Sequence, residues 1–119
     1  MSDNVSCIAE VNIHDGQLEN LKALMREMVD VIKRDEPGTL NFEYFIADDG
    51  KSFHAYERYA DSEAYMIHLR NFGQNFAERV MPNLAITKIT LYGNPSDEVR
   101  AVFADNDPIC IKLFAGVAR

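Results

Sequence analysis

Residues 36–69 read EPGTLNFEYFIADDGKSFHAYERYADSEAYMIHL, and the order of pieces in this stretch decides the fold. Glu36-Pro37-Gly38 stops any helix that precedes it, because Pro37 disfavours helical geometry at Glu36 and has no N–H to donate. Thr39 to Ile46 then alternates, which predicts a strand. Leu40, Phe42, Tyr44 and Ile46 face one way, and Asn41, Glu43 and Phe45 the other. Asp48-Asp49-Gly50 predicts a hairpin turn, with glycine supplying positive φ. Ser52 to Tyr59 returns as the partner strand, with Phe53, Ala55, Glu57 and Tyr59 on one face and His54, Tyr56 and Arg58 on the other. Asp61-Ser62-Glu63 opens a helix with a capping residue and an acid in its first turn. Its predicted buried arc is Tyr65, Met66, Leu69, Phe72, Phe76 and Val80, with a break at Gly73 and an end at Pro82. Large side chains on both strand faces predict a sheet covered on both sides. Helices form one cover, and a second subunit is the simplest candidate for the other.

The flanks complete the pattern. Val5 to His14 alternates Cys7, Ala9, Val11 and Ile13 against Ile8, Glu10, Asn12 and His14, a first strand. Asp15-Gly16 ends it and is suited to cap the next helix. From Gln17 to Asp35, apolar residues such as Leu21, Leu24, Met28 and Ile32 fall on one side of a helical wheel and charges on the other. Ala85 to Tyr92 predicts a fourth strand, with Thr87, Ile89 and Leu91 opposite Ile86, Lys88, Thr90 and Tyr92. Gly93-Asn94-Pro95 opens a short helix with Val99, Val102 and Phe103 as its apolar side. Ile109 to Phe114 predicts a last strand whose apolar residues imply burial, in its own sheet or in a partner's. The expected architecture is α+β: a ferredoxin-like β-α-β-β-α-β core with an antiparallel sheet, spanning about residues 5–93, plus a C-terminal α-β extension, 94–119.

One domain is expected from 119 residues, a size that buries roughly two-thirds of the unfolded surface. The net charge of −7 argues against nucleic acid and anionic membrane surfaces as partners. Met1-Ser2-Asp3-Asn4 shows no basic leader, and no apolar run approaches the ~20 residues of a membrane span. Cys7 and Cys110 both sit in apolar strand-like runs and read as buried free thiols of a cytoplasmic protein. There is no CxxC, and the three histidines are dispersed, so no metal is expected.

With Ala9-Glu10-Val11, Glu36-Pro37-Gly38, Tyr56-Glu57-Arg58-Tyr59 and His68-Leu69 in place, the chain resembles the antibiotic biosynthesis monooxygenase family over about residues 5–93. That family's pattern has a Pro-Gly or similar pair after the first helix, a Glu two residues before an aromatic at the end of the third strand, and a His-Leu in the next helix. Tyr59 stands where the family usually has Trp, and the chain has no Trp. Haem-degrading relatives use a Trp in the second helix and a later His, where this chain runs Asn75-Phe76-Ala77-Glu78, so haem degradation is disfavoured. The resemblance implies a dimeric α+β barrel, that is, a homodimer packed sheet to sheet, with a pocket between each sheet and its helices. It also implies a cofactor-free oxygenase of a small apolar or aromatic, quinol-type molecule.

Such an oxygenase must take a phenolic proton, hold the anion and exclude water, because the deprotonated substrate itself supplies electrons to dioxygen. His68 is the best candidate base, since His titrates near neutral pH. The plainer alternative is a core-edge His bonded to backbone. Glu57, an acid on an apolar strand face, either orients His68 or takes a substrate proton, or is a structural carboxylate paired with Arg58, Arg70 or a backbone donor. Asn12 is a third catalytic candidate, able to bond a substrate oxygen, or a polar residue at the core edge. Tyr44, Tyr59, Tyr65 and Phe72 are candidate substrate-binding aromatics, or ordinary core. Two readings stand beside the oxygenase: an isomerase using His68 and Glu57 without dioxygen, and a non-catalytic dimer that binds an apolar metabolite.

Overall fold

The computed structural model describes residues 3–119, and the reading of Met1-Ser2 as part of a leaderless start lies outside the described residues. Strand β1 (Val5–Ile13) runs through the middle of the sheet. It pairs antiparallel with β3 (Ser52–Tyr59) on one side and with β4 (Leu84–Tyr92) on the other. Strand β2 (Thr39–Ile46) pairs antiparallel with β3, and β5 (Ile109–Ile111) pairs parallel with β4. The order β2-β3-β1-β4-β5 contains the ferredoxin-like arrangement. The four core strands are antiparallel as expected, and the extension adds β5 at the edge: it follows a helical crossover, returns parallel, and makes the whole sheet mixed.

Helix α1 (Leu18–Asp35) buries Leu21, Leu24, Met25, Met28 and Ile32 on the sheet, as its periodicity requires. Its N-cap is Gln17, not Asp15 or Gly16, and no side chain caps it. Helix α2 (Ser62–Asn75) starts where expected, Asp61 accepting a 2.8 Å bond from the Ala64 amide. The predicted break at Gly73 falls instead at Phe76, whose buried ring turns the chain into the short α3 (Ala77–Val80). Gly73 stays helical, since a single interior glycine costs a helix only about 1 kcal/mol relative to alanine.

The face assignment of β4 also changes. The register against β1 jumps from Glu10↔Lys88 to Val11↔Ile86, leaving Thr87 as an extra residue whose hydroxyl donates to the Glu10 carbonyl at 3.0 Å. This bulge brings Ile86 to the helix-covered side together with buried Ile89 and Leu91, where simple alternation had separated them. A second register shift, between Thr39 and Asn41, leaves Leu40 exposed.

The extension begins with α4 (Asp97–Val102), in which Val99 is buried and Val102 exposed. The expected strand to Phe114 is only three residues long, and within the single chain Ile109, Ile111, Leu113 and Phe114 are all exposed, since β5 lies beyond the helices' cover; of the two kinds of burial expected, that in its own sheet is absent. Cys110 is therefore exposed, contrary to expectation, while Cys7 is buried. Cys7 lies opposite Leu91 and Leu91 opposite Cys110, so two strand spacings of about 4.8 Å each separate the thiols, too far for a disulfide. Among the described residues no helix is long and apolar enough to cross a membrane.

Candidate active site

The helix-covered side of the sheet holds two packed clusters. One gathers α1 with Val11, Phe53 and Leu84, and the other gathers Cys7, Tyr59, Tyr65, Ile89, Leu91 and Val99. A cavity of about 130 Å³ lies at the seam between them, lined by residues of both. Its wall is almost wholly hydrocarbon and aromatic. Glu57 from β3 and His68 from α2 are the ionisable side chains of ordinary acid–base range that reach it.

His68 is buried on the face of α2 that also carries Ala64 one turn earlier. Its Nδ1 lies 2.9 Å from Oε1 of Glu36, itself buried. Glu36 follows the last turn of α1, and its amide donates to the Ile32 carbonyl. The same carboxylate accepts from Asn71 Nδ2 at 2.5 Å and Thr39 Oγ1 at 2.9 Å. The Pro37-Gly38 pair makes this meeting possible. A Cβ on Gly38 would sit 2.6 Å from the Ala64 Cβ, so only glycine lets the loop press onto α2 at this level. Burial alone would push the Glu36 carboxyl up, but the bond and charge of His68, with Asn71 and Thr39, outweigh it and hold the group below its ordinary value. Among the described residues the His68 ring makes no other hydrogen bond, and His68 lines the cavity. An ionised carboxylate behind one nitrogen fixes the tautomer and leaves the other free to accept a proton.

Glu57 has the opposite environment. Burial pushes its carboxyl up, against the charge of His68 and the bond from Tyr59, and the nearby Glu36 charge adds to the rise. Tyr59, two residues along on the same strand face, donates its hydroxyl to Glu57 Oε1 at 2.5 Å. The Tyr59 ring stacks on Tyr65 with centroids 4.0 Å apart and planes 10° from parallel. The site thus combines a carboxylate favoured in its ionised form behind an imidazole with a second carboxyl, at the cavity wall, that burial makes harder to ionise. Such a pair can take a proton from one atom of a ligand and return one to another.

Of the sequence candidates, the structure brings together His68, Glu57, Tyr44, Tyr65 and Phe72 at the cavity. Tyr59 is not in the lining; it acts behind Glu57. Asn12 is exposed and, by strand alternation, lies on the far face of the sheet from buried Val11. Glu57 does not orient His68 through a bond, and its partner is Tyr59 in place of the arginines considered: Arg58 bonds Asn41 and Arg70 approaches Glu98. The residue that sequence reasoning passed over as chemistry is Glu36, read only as part of the Glu36-Pro37-Gly38 helix stop and family motif. Its signal was present, because Met28, Ile32 and Glu36 succeed each other at i+4 and place a carboxylate on the apolar stripe.

A ferredoxin-like domain with an apolar cavity between sheet and helices, and a buried acid–base cluster in its wall, is the class of protein defined by this fold and site. Residues 4–77 match the family profile of Antibiotic biosynthesis monooxygenase, and the chain belongs to that family. MupZ from Pseudomonas fluorescens has the same fold over 99% of this chain and 96% of its own, with a TM-score of 0.86 at 21% identity. SnoaB, a cofactor-independent oxygenase from Streptomyces nogalater, covers 80% of this chain and 96% of its own at TM-score 0.67 and 15% identity. A conserved protein from Methanosarcina mazei Go1 covers 75% and 90% at TM-score 0.64 and 14% identity. At these identities the likeness is one of fold. No curated protein sequence matches the chain.

Proposed function

We propose that the protein is a cofactor-independent monooxygenase that oxidises a small aromatic, phenol- or quinol-type substrate with dioxygen, working in the cytoplasm as a homodimer. The observation that carries this reading is the His68–Glu36 pair at an apolar cavity, 2.9 Å between Nδ1 and Oε1. His68 takes the phenolic proton, and Glu36 stabilises the imidazolium that results. The phenolate's ring carbon bonds to dioxygen, giving a peroxide. Loss of the proton on that carbon and cleavage of the O–O bond leave a carbonyl, and the second oxygen departs as water after taking up a proton. A phenol and dioxygen thereby become a quinone and water. Glu57 stands at the wall to supply a proton to the departing oxygen. SnoaB, of the same fold, is a cofactor-independent oxygenase, which supports the reaction class.

A second reading is favoured by the same Glu57. A carboxyl that burial makes harder to ionise, beside a base, suits isomerisation, in which a proton leaves one carbon and another is delivered elsewhere without any oxidant. The two are separated by dissolved-oxygen uptake on metal-stripped protein with electron-rich single-ring phenols and hydroquinones, autoxidation controls and His68→Ala. Protein-dependent uptake that is lost in the variant supports the oxygenase. Consumption of substrate without uptake assigns the isomerase.

A further inference from the structure

One wall of the cavity comes from outside the family core. The ferredoxin-like core ends with β4 at Tyr92, yet Phe103, in the extension, lines the cavity beside Tyr65. The ring centroids of Phe103 and Tyr65 are 5.9 Å apart. Phe103 is held there by the rest of the extension. Val99, one turn earlier on the same face of α4, is fully buried in the second core cluster. Ser96 caps α4 through the Val99 amide at 3.2 Å, and its own amide donates to Ser62 Oγ at the start of α2 at 2.9 Å. The extension is thus fastened to the helix that carries His68.

The cavity is small. At about 130 Å³ it is close to the roughly 150 Å³ of an apolar cavity that holds one benzene, and well below ordinary drug-sized pockets. Among the walls, Tyr65 is locked by its stacking on Tyr59, and His68 by Glu36. Phe103 is half-buried, as are Phe42, Tyr44 and Phe72, but it is the aromatic wall that comes from the extension, so its truncation opens space without removing a side chain of the buried core clusters.

We infer that Phe103 is the specificity-determining residue of the site, closing the cavity so that it admits one ring and rejects two fused rings. This rests on the reading of the cavity as the substrate site, but it concerns size and not chemistry. Truncating Phe103 extends the cavity alongside Tyr65, and enlarging it shortens the cavity.

The test is direct binding of phenol and 2-naphthol, by calorimetry or ligand-observed resonance, to the full chain and to Phe103→Ala, Phe103→Leu and Phe103→Trp. Val102→Ala, an exposed neighbour, is the control. The wild type is expected to bind phenol at least tenfold more tightly than 2-naphthol. Phe103→Ala is expected to bring 2-naphthol to parity or better, Phe103→Leu to lie between, and Phe103→Trp to weaken phenol. Equal binding of both probes to the wild type overturns the inference, as does a ratio unchanged in a folded Phe103→Ala or Phe103→Leu. Failure of every variant to bind either probe overturns it together with the cavity reading. A size switch without oxygen uptake leaves the inference standing and removes the oxygenase chemistry alone.

Discussion

Glu36 and His68 are 32 residues apart in sequence and 2.9 Å apart in space, both almost excluded from solvent. A buried carboxylate of this kind is maintained only when its bonds offset desolvation, and three donors converge on it. Replacement by Gln keeps the shape and removes the charge. Glu36→Gln is expected to lower stability at neutral pH by about 2 kcal/mol and turnover by roughly tenfold to a hundredfold. The carboxyl sits below its ordinary 4.5 in the folded state, so its stabilisation is complete above that value and is lost as pH falls through the lower folded value. Denaturant melts across pH 3–7 are expected to show a shallower acid limb in the variant; an identical limb would mean the carboxylate is not paired in solution.

Glu57 carries the opposite linkage. Its folded carboxyl lies above the ordinary 4.5, so the folded state holds the proton more tightly than the unfolded chain. Its contribution is then complete below 4.5 and declines as pH rises toward the folded value. Glu57→Gln keeps an acceptor for the Tyr59 hydroxyl and cannot ionise. The variant is expected to match wild type near pH 4 and to exceed it at pH 8 by roughly 1–3 kcal/mol. A variant less stable at both pH values would show that Glu57 is ionised and paired. Under either functional reading, turnover is expected to fall.

Gly38 sets the spacing between the loop after α1 and helix α2. Gly38→Ala places a methyl group 2.6 Å from the Ala64 Cβ, so α2 or the loop must give way. Overpacking of this kind costs about 1–3 kcal/mol. Because the displaced elements hold His68 and Glu36, activity is expected to drop by more than stability alone explains. Thermal melts alongside turnover measured well below the melting point test this; full activity in a destabilised variant would uncouple the Pro-Gly pair from the site.

The face of the sheet away from the helices bears half-buried Ile8 opposite Tyr56, with exposed Phe45 on the neighbouring strand β2. Glu10 lies 3.6 Å from His54 and 3.9 Å from Lys88 on the same face. The proposed dimer places a second copy over this face. Sedimentation at micromolar concentration is expected to give a dimer, and Tyr56→Asp a species shifted toward monomer with unchanged helix content. A monomeric wild type would remove the sheet-to-sheet assembly.

The core was legible in the sequence because its signals are local. Alternation in β2 and β3, the stripe of α1, and the Asp48-Asp49-Gly50 turn each depend on neighbours a few residues apart. The features that were not legible depend on pairing at long range. The Thr87 bulge is set by the register of β1, and the exposure of β5 by where the helices stop covering the sheet. The site divides the same way. His68 and Glu57 stood out as polar residues in apolar surroundings, whereas Glu36 was masked by the Pro-Gly pair directly after it. Asn12 was drawn in by its polarity alone, and strand alternation puts it on the other face.

The most direct measurement is dissolved-oxygen uptake by metal-stripped protein with single-ring phenols and hydroquinones, comparing wild type, Glu36→Gln and His68→Ala. The expected result is uptake above autoxidation in wild type, reduced roughly tenfold or more in Glu36→Gln and about a hundredfold in His68→Ala. Uptake that persists in a folded His68→Ala would contradict the role of the Glu36–His68 pair, and substrate turnover with no uptake at all would contradict the oxygenase.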